Sequence, residues 1–279
     1  MYGPTIKHIR QGKDLSIKHV YTGVCSKTNA IKFENGERSI SAEKFYLVLQ
    51  HLMISMDEFQ WIMNGYQPPE DEHFQYLIAK TWNTSQNDSF QKLVQLLERE
   101  AVGVERVQQA SYQLLENFRQ GNPPQEKELA LVIRYFSDLR TWTLKDLAFF
   151  ANTCYLLPYD LMCSLLNEAL GVRERYAMFR GSDELFAALL SNCINRMIIE
   201  QDAPQAKKYL SLLRNLSKGI QMCGYKLLVE AYEAKILFMF EDELKGKVKL
   251  QNILEIALFL QQPKIVEEIE ELLSGSQHD

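Results

Sequence analysis

The sequence lacks most of what an enzyme needs. It has no phosphate-binding glycine loop, no GxSxG elbow, no HExxH helix and no dinucleotide glycine fingerprint. Its histidines, at 8, 19, 51, 73 and 278, do not pair at metal-ligand spacing. The acidic runs Glu267-Glu268 and Glu270-Glu271 read as solvated charge on a terminal helix. No catalytic residue, cofactor or metal is expected. The five cysteines, at 25, 154, 163, 193 and 223, are odd in number and form no CxxC pair. That speaks for reduced, packed thiols in a cytoplasmic protein rather than a disulfide framework or zinc site. No apolar run reaches the ~18 residues of a membrane span, and the N-terminus lacks the order of a signal peptide, so no membrane partner is expected. Strand patterns are missing too, which leaves an all-α chain.

Positive charge is scarce overall but not locally. The net charge of the 279 residues is −5. Residues 1–49 hold eight Lys or Arg against four acids, a balance of +4, and the remainder carries −9. A basic head on an acidic body can bind phosphate with the head alone.

The head reads as five short helices in residues 1–64, the size of a lambda-repressor-like helix-turn-helix domain. The first covers about 4–13, with Pro4 in its first turn. Two more lie in LSIKHVYTGVCSKTNAIKFENGER, Leu15 to Arg38. One runs from Ser16 to about Thr22; Gly23 supplies the turn. Ser26 then N-caps the second, and Asn35-Gly36 stops it. Val20, Val24, Ile31 and Phe33 are expected on the inner face. Lys27, Thr28, Asn29 and Lys32 are expected outward, flanked by Arg10 and Arg38. Lys can neutralise phosphate or donate to guanine, and Asn can pair with adenine, as on a recognition helix in the major groove of double-stranded promoter DNA. A fourth helix from Ser41 to about Leu52 turns Phe45, Val48, Leu49 and Leu52 inward. A capping box at Ser55 opens the fifth, with Phe59 and Ile62 inward.

The same stretch carries a family resemblance. Ser26-Lys27-Thr28-Asn29, then Lys32-Phe33-Glu34-Asn35-Gly36-Glu37-Arg38, resembles the S-x-S-x-(I/L)-S-(R/K)-F-E-x-G-E-(S/R) segment of Rgg-type regulators. These are Gram-positive transcription factors of the group that senses intracellular peptides. Phe33 directly before Glu34-x-Gly36 is its more specific part. Two positions depart from the pattern. Ala30 and Ile31 stand where the family often has a large aliphatic and a Ser, and Ile17 stands where many such repressors carry a phosphate-contacting Gln. That contact is not expected here.

Asn64 to Glu70, NGYQPPE, reads as the linker, giving domains at 1–64 and 72–279 joined by 65–71. The body reads as helix pairs: 72–84 with 88–100, 104–120 with 125–140, 143–155 with 158–170, 183–200 with 203–218, and 221–241 with 245–261, capped by 263–273. A period of about 40 residues in helix pairs predicts an α-solenoid of tetratricopeptide-like repeats with an inner groove. Trp142, Asn152, Tyr176, Asn192, Arg196, Tyr225 and Tyr232 are its candidate lining residues, with a core role equally open for the last two. Asn152 and Asn192 share a phase one repeat apart, where a carboxamide can bond an extended peptide's backbone; the competing reading makes them structural bonds between repeats. Trp142, Asn152 and Asn192-Cys193 also lie in segments similar to Rgg-type sensor domains. The resemblance implies a homodimer whose body binds a short, hydrophobic signalling peptide and so controls promoter binding. The alternative is a helical-repeat scaffold for protein partners whose head is vestigial; a salt-dependent shift of duplex DNA separates the two.

Overall fold

A computed structural model of the chain describes residues 2–67 and 103–275. It divides into two compact units, Met1–Ser85 and Gln86–Asp279. The described residues form fourteen α-helices and three short 3-10 turns, with no strand among them. The expected helices at 72–84 and 88–100, and the linker from residue 68 onward, lie outside the described residues.

The head holds five helices: α1 (Tyr2–Gly12), α2 (Ile17–Tyr21), α3 (Lys27–Glu34), α4 (Ala42–His51) and α5 (Met56–Met63). Four of them start at a serine. Ser16, Ser26, Ser41 and Ser55 each accept a hydrogen bond from the backbone N–H three residues on, satisfying an amide that the helix itself leaves unpaired. These caps set the helix starts, and the starts set which residues face inward. Ile6, Ile9, Val20, Val24, Ala30, Phe33, Val48, Leu49, Leu52 and Phe59 are buried together. Tyr2, Phe45 and Phe59 close α1, α4 and α5 as an aromatic trio with ring centroids 4.9–5.4 Å apart. Gly23 makes the α2–α3 turn at φ +78°, a conformation that costs a glycine nothing.

The body continues with α6 (Val104–Arg119), α7 (Glu126–Ser137), α8 (Leu144–Thr153), α9 (Tyr159–Gly171), α10 (Ser182–Ile199), α11 (Ala203–Leu216), α12 (Cys223–Phe240), α13 (Glu243–Phe259) and α14 (Pro263–Gly275). The helices match the expected boundaries within a few residues. The pairs α6/α7, α10/α11 and α12/α13 pack as hairpins. The expected partnership of 143–155 with 158–170 is looser: α9 leans on α10, and α8 also packs on α10. Helices α8, α10 and α12 form one contiguous inner row, with starts at Leu144, Ser182 and Cys223. The middle member is buried on most sides, with Phe186, Ala187, Leu189, Leu190, Cys193, Ile194 and Met197 at 0–1% exposure. Gly246 lets α13 lie directly on α12, since a Cβ there would come 2.3 Å from the Phe238 backbone.

Candidate nucleic-acid and peptide interfaces

In the head, the inward side of α3 is held by an ion pair. Arg10 of α1 donates from Nε to Glu34 Oε1 at 2.7 Å and from Nη2 to Glu34 Oε2 at 2.8 Å, while its Nη1 donates to the Leu15 carbonyl at 2.8 Å. Arg10 is only 9% exposed and Glu34 2%. The carboxylate's hydrogen bonds outweigh the cost of burial and hold the guanidinium above its ordinary pKa. Burial pushes the nearby Tyr21 phenol upward, with the Glu34 charge adding to it. The expectation that Arg10 flanks the helix as a phosphate contact is therefore corrected. Its fork is spent inside the domain, tying α1 and the α1–α2 turn to the end of α3.

With the inner side fixed, the outer side follows. Lys27, Thr28 and Lys32 are exposed, as is the cap Ser26. Ile31 was expected inward, but it is 39% exposed and Ala30 is 0% exposed in its place. At about 100° per residue, the buried positions Phe33 and Glu34 share a face with Ala30, while Ile31 lies one turn from Lys27. Asn29 is half-buried, and the exposed Arg38 donates from Nη1 to its Oδ1 at 2.7 Å. The structure brings these two predicted residues together as a unit. Ile17 is packed against the head core, which accounts physically for its apolar identity. Cys25 also packs there, its thiol pushed up by burial.

In the body, the expected lining residues separate into three groups. Trp142 and Tyr232 are core, at 5% and 6% exposure, and do not line a groove. Trp142 stacks on Phe136 and lies tilted against Phe150, with centroids 5.9 and 5.6 Å away. Tyr232 meets the Ser191 hydroxyl at 3.0 Å. A second group is tied between repeats but half-exposed. Asn192 donates from Nδ2 to the Ala151 carbonyl at 2.8 Å, and Arg196 donates from Nη1 to the Tyr155 carbonyl at 3.3 Å and pairs with Glu200 at 2.6 Å. Tyr176 donates to the Trp142 carbonyl at 3.1 Å. For Asn192 the bond to Ala151 favours the reading as a structural tie between repeats. The third group keeps an open surface: Asn152 is exposed and Tyr225 half-exposed.

The partners missed by sequence reasoning sit between these residues. Tyr155 is half-buried beside Asn195, and burial raises its phenol strongly. Lys235 reaches Glu268 at 2.5 Å, close to the Tyr232 ring. Polar side chains thus recur along the inner row: Asn192, Asn195 and Arg196 of α10 meet Ala151 or Tyr155, and the buried Lys235 of α12 pairs with Glu268. Their signal was present in the spacing: Ala151–Asn192, Tyr155–Arg196 and Ser191–Tyr232 are each 41 residues apart. Among the described residues, no group of His, Cys, Asp or Glu could hold a metal ion, and no helix is long and apolar enough to cross a membrane.

Comparison with known proteins agrees with this architecture. Residues 88–271 match the model of the C-terminal domain of the HTH-type transcriptional regulator Rgg. Among solved structures, a protein described as a transcriptional regulator from Listeria monocytogenes EGD-e matches with a TM-score of 0.82 at 22% identity, covering 98% of this chain and 96% of that one. The SHP pheromone receptor Rgg2 of Streptococcus dysgalactiae matches at 0.77 and 17% identity, covering 99% and 100%. PrgX, solved in complex with cCF10, matches at 0.67 and 19% identity, covering 98% of each chain. At these identities the likeness concerns the fold. The family model spans well over half of the residues, and the chain belongs to the Rgg family of helix-turn-helix transcriptional regulators.

Proposed function

We propose that this chain binds promoter DNA through its head and a short, hydrophobic signalling peptide through its body, the peptide controlling the DNA-bound state of a homodimer. The observation that carries the DNA half is the outward row of α3. Lys27, Thr28, Ile31 and Lys32 are exposed together on a helix whose opposite side is locked by Arg10 and Glu34. Lysines on such a row neutralise phosphate or donate to guanine, and Ile31 can meet a thymine methyl. Asn29, oriented by Arg38, is the candidate reader of adenine. The peptide half is supported by the polar side chains of α8, α10 and α12 and by the relatives described as an SHP pheromone receptor and a PrgX/cCF10 complex. An extended peptide must satisfy its own amides when it is buried, and the exposed Asn152 offers both a donor and an acceptor. A head this small reads few base pairs, and helix-turn-helix regulators commonly read paired half-sites.

The test is selection of bound duplexes from genomic fragments, then titration against salt. A log–log salt slope that shallows when Lys27 or Lys32 becomes Ala supports the reading. Absence of any salt-dependent duplex binding overturns it in favour of the second reading, a repeat scaffold with a vestigial head. The inward packing of Ile17, where a phosphate contact is absent, favours that alternative.

A further inference from the structure

To read adenine, Asn29 needs both ends of its carboxamide: Nδ2 donates to N7 while Oδ1 accepts from the N6 amino group. In the head one of those ends is taken. Arg38 donates from Nη1 to Asn29 Oδ1 at 2.7 Å, the length of a charge-assisted bond. A guanidinium carries only N–H donors and no acceptor, so the carboxamide oxygen alone can face it. Asn29 is left with the N–H groups of Nδ2, and Arg38 with those of Nε and Nη2. Those donors stay open: Arg38 is exposed and forms no ion pair among the described residues, and the adjacent Glu37 carboxylate accepts from Asn35 instead. Asn29 lies in the first turn of α3, whose amide it closes onto Ser26. That is the part of a recognition helix that meets base edges.

We propose that Asn29 and Arg38 act as one two-donor unit and that the unit reads guanine. The inference rests on the DNA-binding reading above and moves its base from adenine to guanine. In the major groove guanine shows two adjacent acceptors, N7 and O6. Adenine sets a donor beside its N7, cytosine offers a donor, and thymine one acceptor beside a methyl group. Two donors side by side are therefore both satisfied on guanine alone, and a donor left unpaired in a closed interface loses more than one bond gains. Oδ1 keeps a second lone pair, but an adenine amino group brought to it would stand against the guanidinium, donor against donor. Holding Arg38 on Asn29 before DNA arrives also restrains a long side chain in advance, so less freedom is lost on contact.

The test uses the full chain and the duplexes it selects from genomic fragments, with each base of the bound site varied in turn. One position is expected to require guanine, and adenine there should weaken binding about tenfold or more. At that position 7-deazaguanine, which lacks N7 alone, should also bind more weakly, whereas inosine, which keeps N7 and O6, should bind like guanine. Arg38→Ala frees Oδ1 and should lose the guanine preference there, with adenine gaining most. Asn29→Asp keeps the bond to Arg38 but exchanges the N–H donors for an acceptor, so it should turn against guanine. A carboxylate suits the first turn of a helix, and both variants should melt like wild type. A guanine preference that both variants retain, or a wild type that requires adenine at the position lost in Asn29→Ala, overturns the two-donor unit and leaves DNA binding standing. An Arg38→Ala variant that weakens on every duplex alike makes Arg38 a phosphate contact and overturns the unit too. A wild type without salt-dependent duplex binding overturns both readings.

Discussion

The head and the body use polar side chains in opposite ways. In the head, one buried ion pair, Arg10 with Glu34, holds α1 against α3 from behind and leaves Lys27, Thr28 and Lys32 facing solvent. Structure and, in the proposed reading, DNA recognition thus fall on different sides of one helix. In the body, the same carboxamides and guanidinium that could meet a ligand also bond the preceding helix: Asn192 to Ala151 and Arg196 to Tyr155. An inner solenoid helix is flanked by neighbours along its whole length, so a polar residue there must satisfy the repeat stack first. The difference teaches where mutations will report on function alone and where they will report on folding as well.

The sharpest way to break this contrast is to attack the head from behind. Arg10→Ala leaves Glu34 buried without its partner and should cost about 3–5 kcal/mol in the head. Hydrogen exchange of the full chain should show the head amides losing protection, and binding to every duplex should fall together. Unchanged protection would return Arg10 to the surface. Trp142→Ala, in the body's aromatic cluster, should cost about 3–5 kcal/mol and lower the melting temperature of the body; a variant that melts like wild type would place Trp142 outside the core.

Next in size is the asparagine pair. Asn192→Leu should destabilise the body by about 1–3 kcal/mol, because it removes the donor to the Ala151 carbonyl. Asn152→Leu should leave the melt unchanged and weaken peptide binding about tenfold, read by calorimetry with the cognate peptide. Equal melts for the two variants would dissolve the distinction between tied and open positions. In the head, Asn29→Ala should relax base preference by about 1–3 kcal/mol at one position without changing the melt. Arg38→Ala should do so at the same position, since Arg38 holds the Asn29 carboxamide; preference lost at two different positions would separate the pair.

The smallest effect concerns pH. Glu233 is partly desolvated, which pushes its carboxyl up, but hydrogen bonds from Lys249 and Arg214 outweigh that and hold it below its ordinary value. A depressed carboxyl contributes stability above its unfolded pKa and loses it as pH falls through the folded value. The melting temperature should therefore drop on acidification below the ordinary carboxylate range, and Glu233→Gln should flatten that limb. An identical acid limb in the variant would show the cluster to be solvated charge.

Much of this was legible in the chain. Serine caps and apolar spacing are local, so the five head helices and the helices from 104 to 273 could be placed from the residues themselves, and the Phe33-Glu34-x-Gly36 stretch pointed to the family. The phase of α3 was less legible. Ala30 and Ile31 are adjacent, either can serve an inner face, and the choice was made by α1 closing over Phe33 and Glu34. Arg10 looked like a phosphate contact because an arginine on a short basic helix has no local sign of a partner 24 residues away. Trp142 looked like a groove residue, and Tyr232 could serve in groove or core, because aromatics suit both a core and a binding site.

By itself, then, the sequence determined the helices, their order, the period of the body and the basic character of the head, because caps, turn residues and hydrophobic periodicity act within a few residues of one another. Tertiary structure alone decided which polar side chains are spent on packing and which stay open. That choice depends on neighbours such as Ala151 beside Asn192, which lie 41 residues apart in the chain and meet only when one repeat stacks on the next.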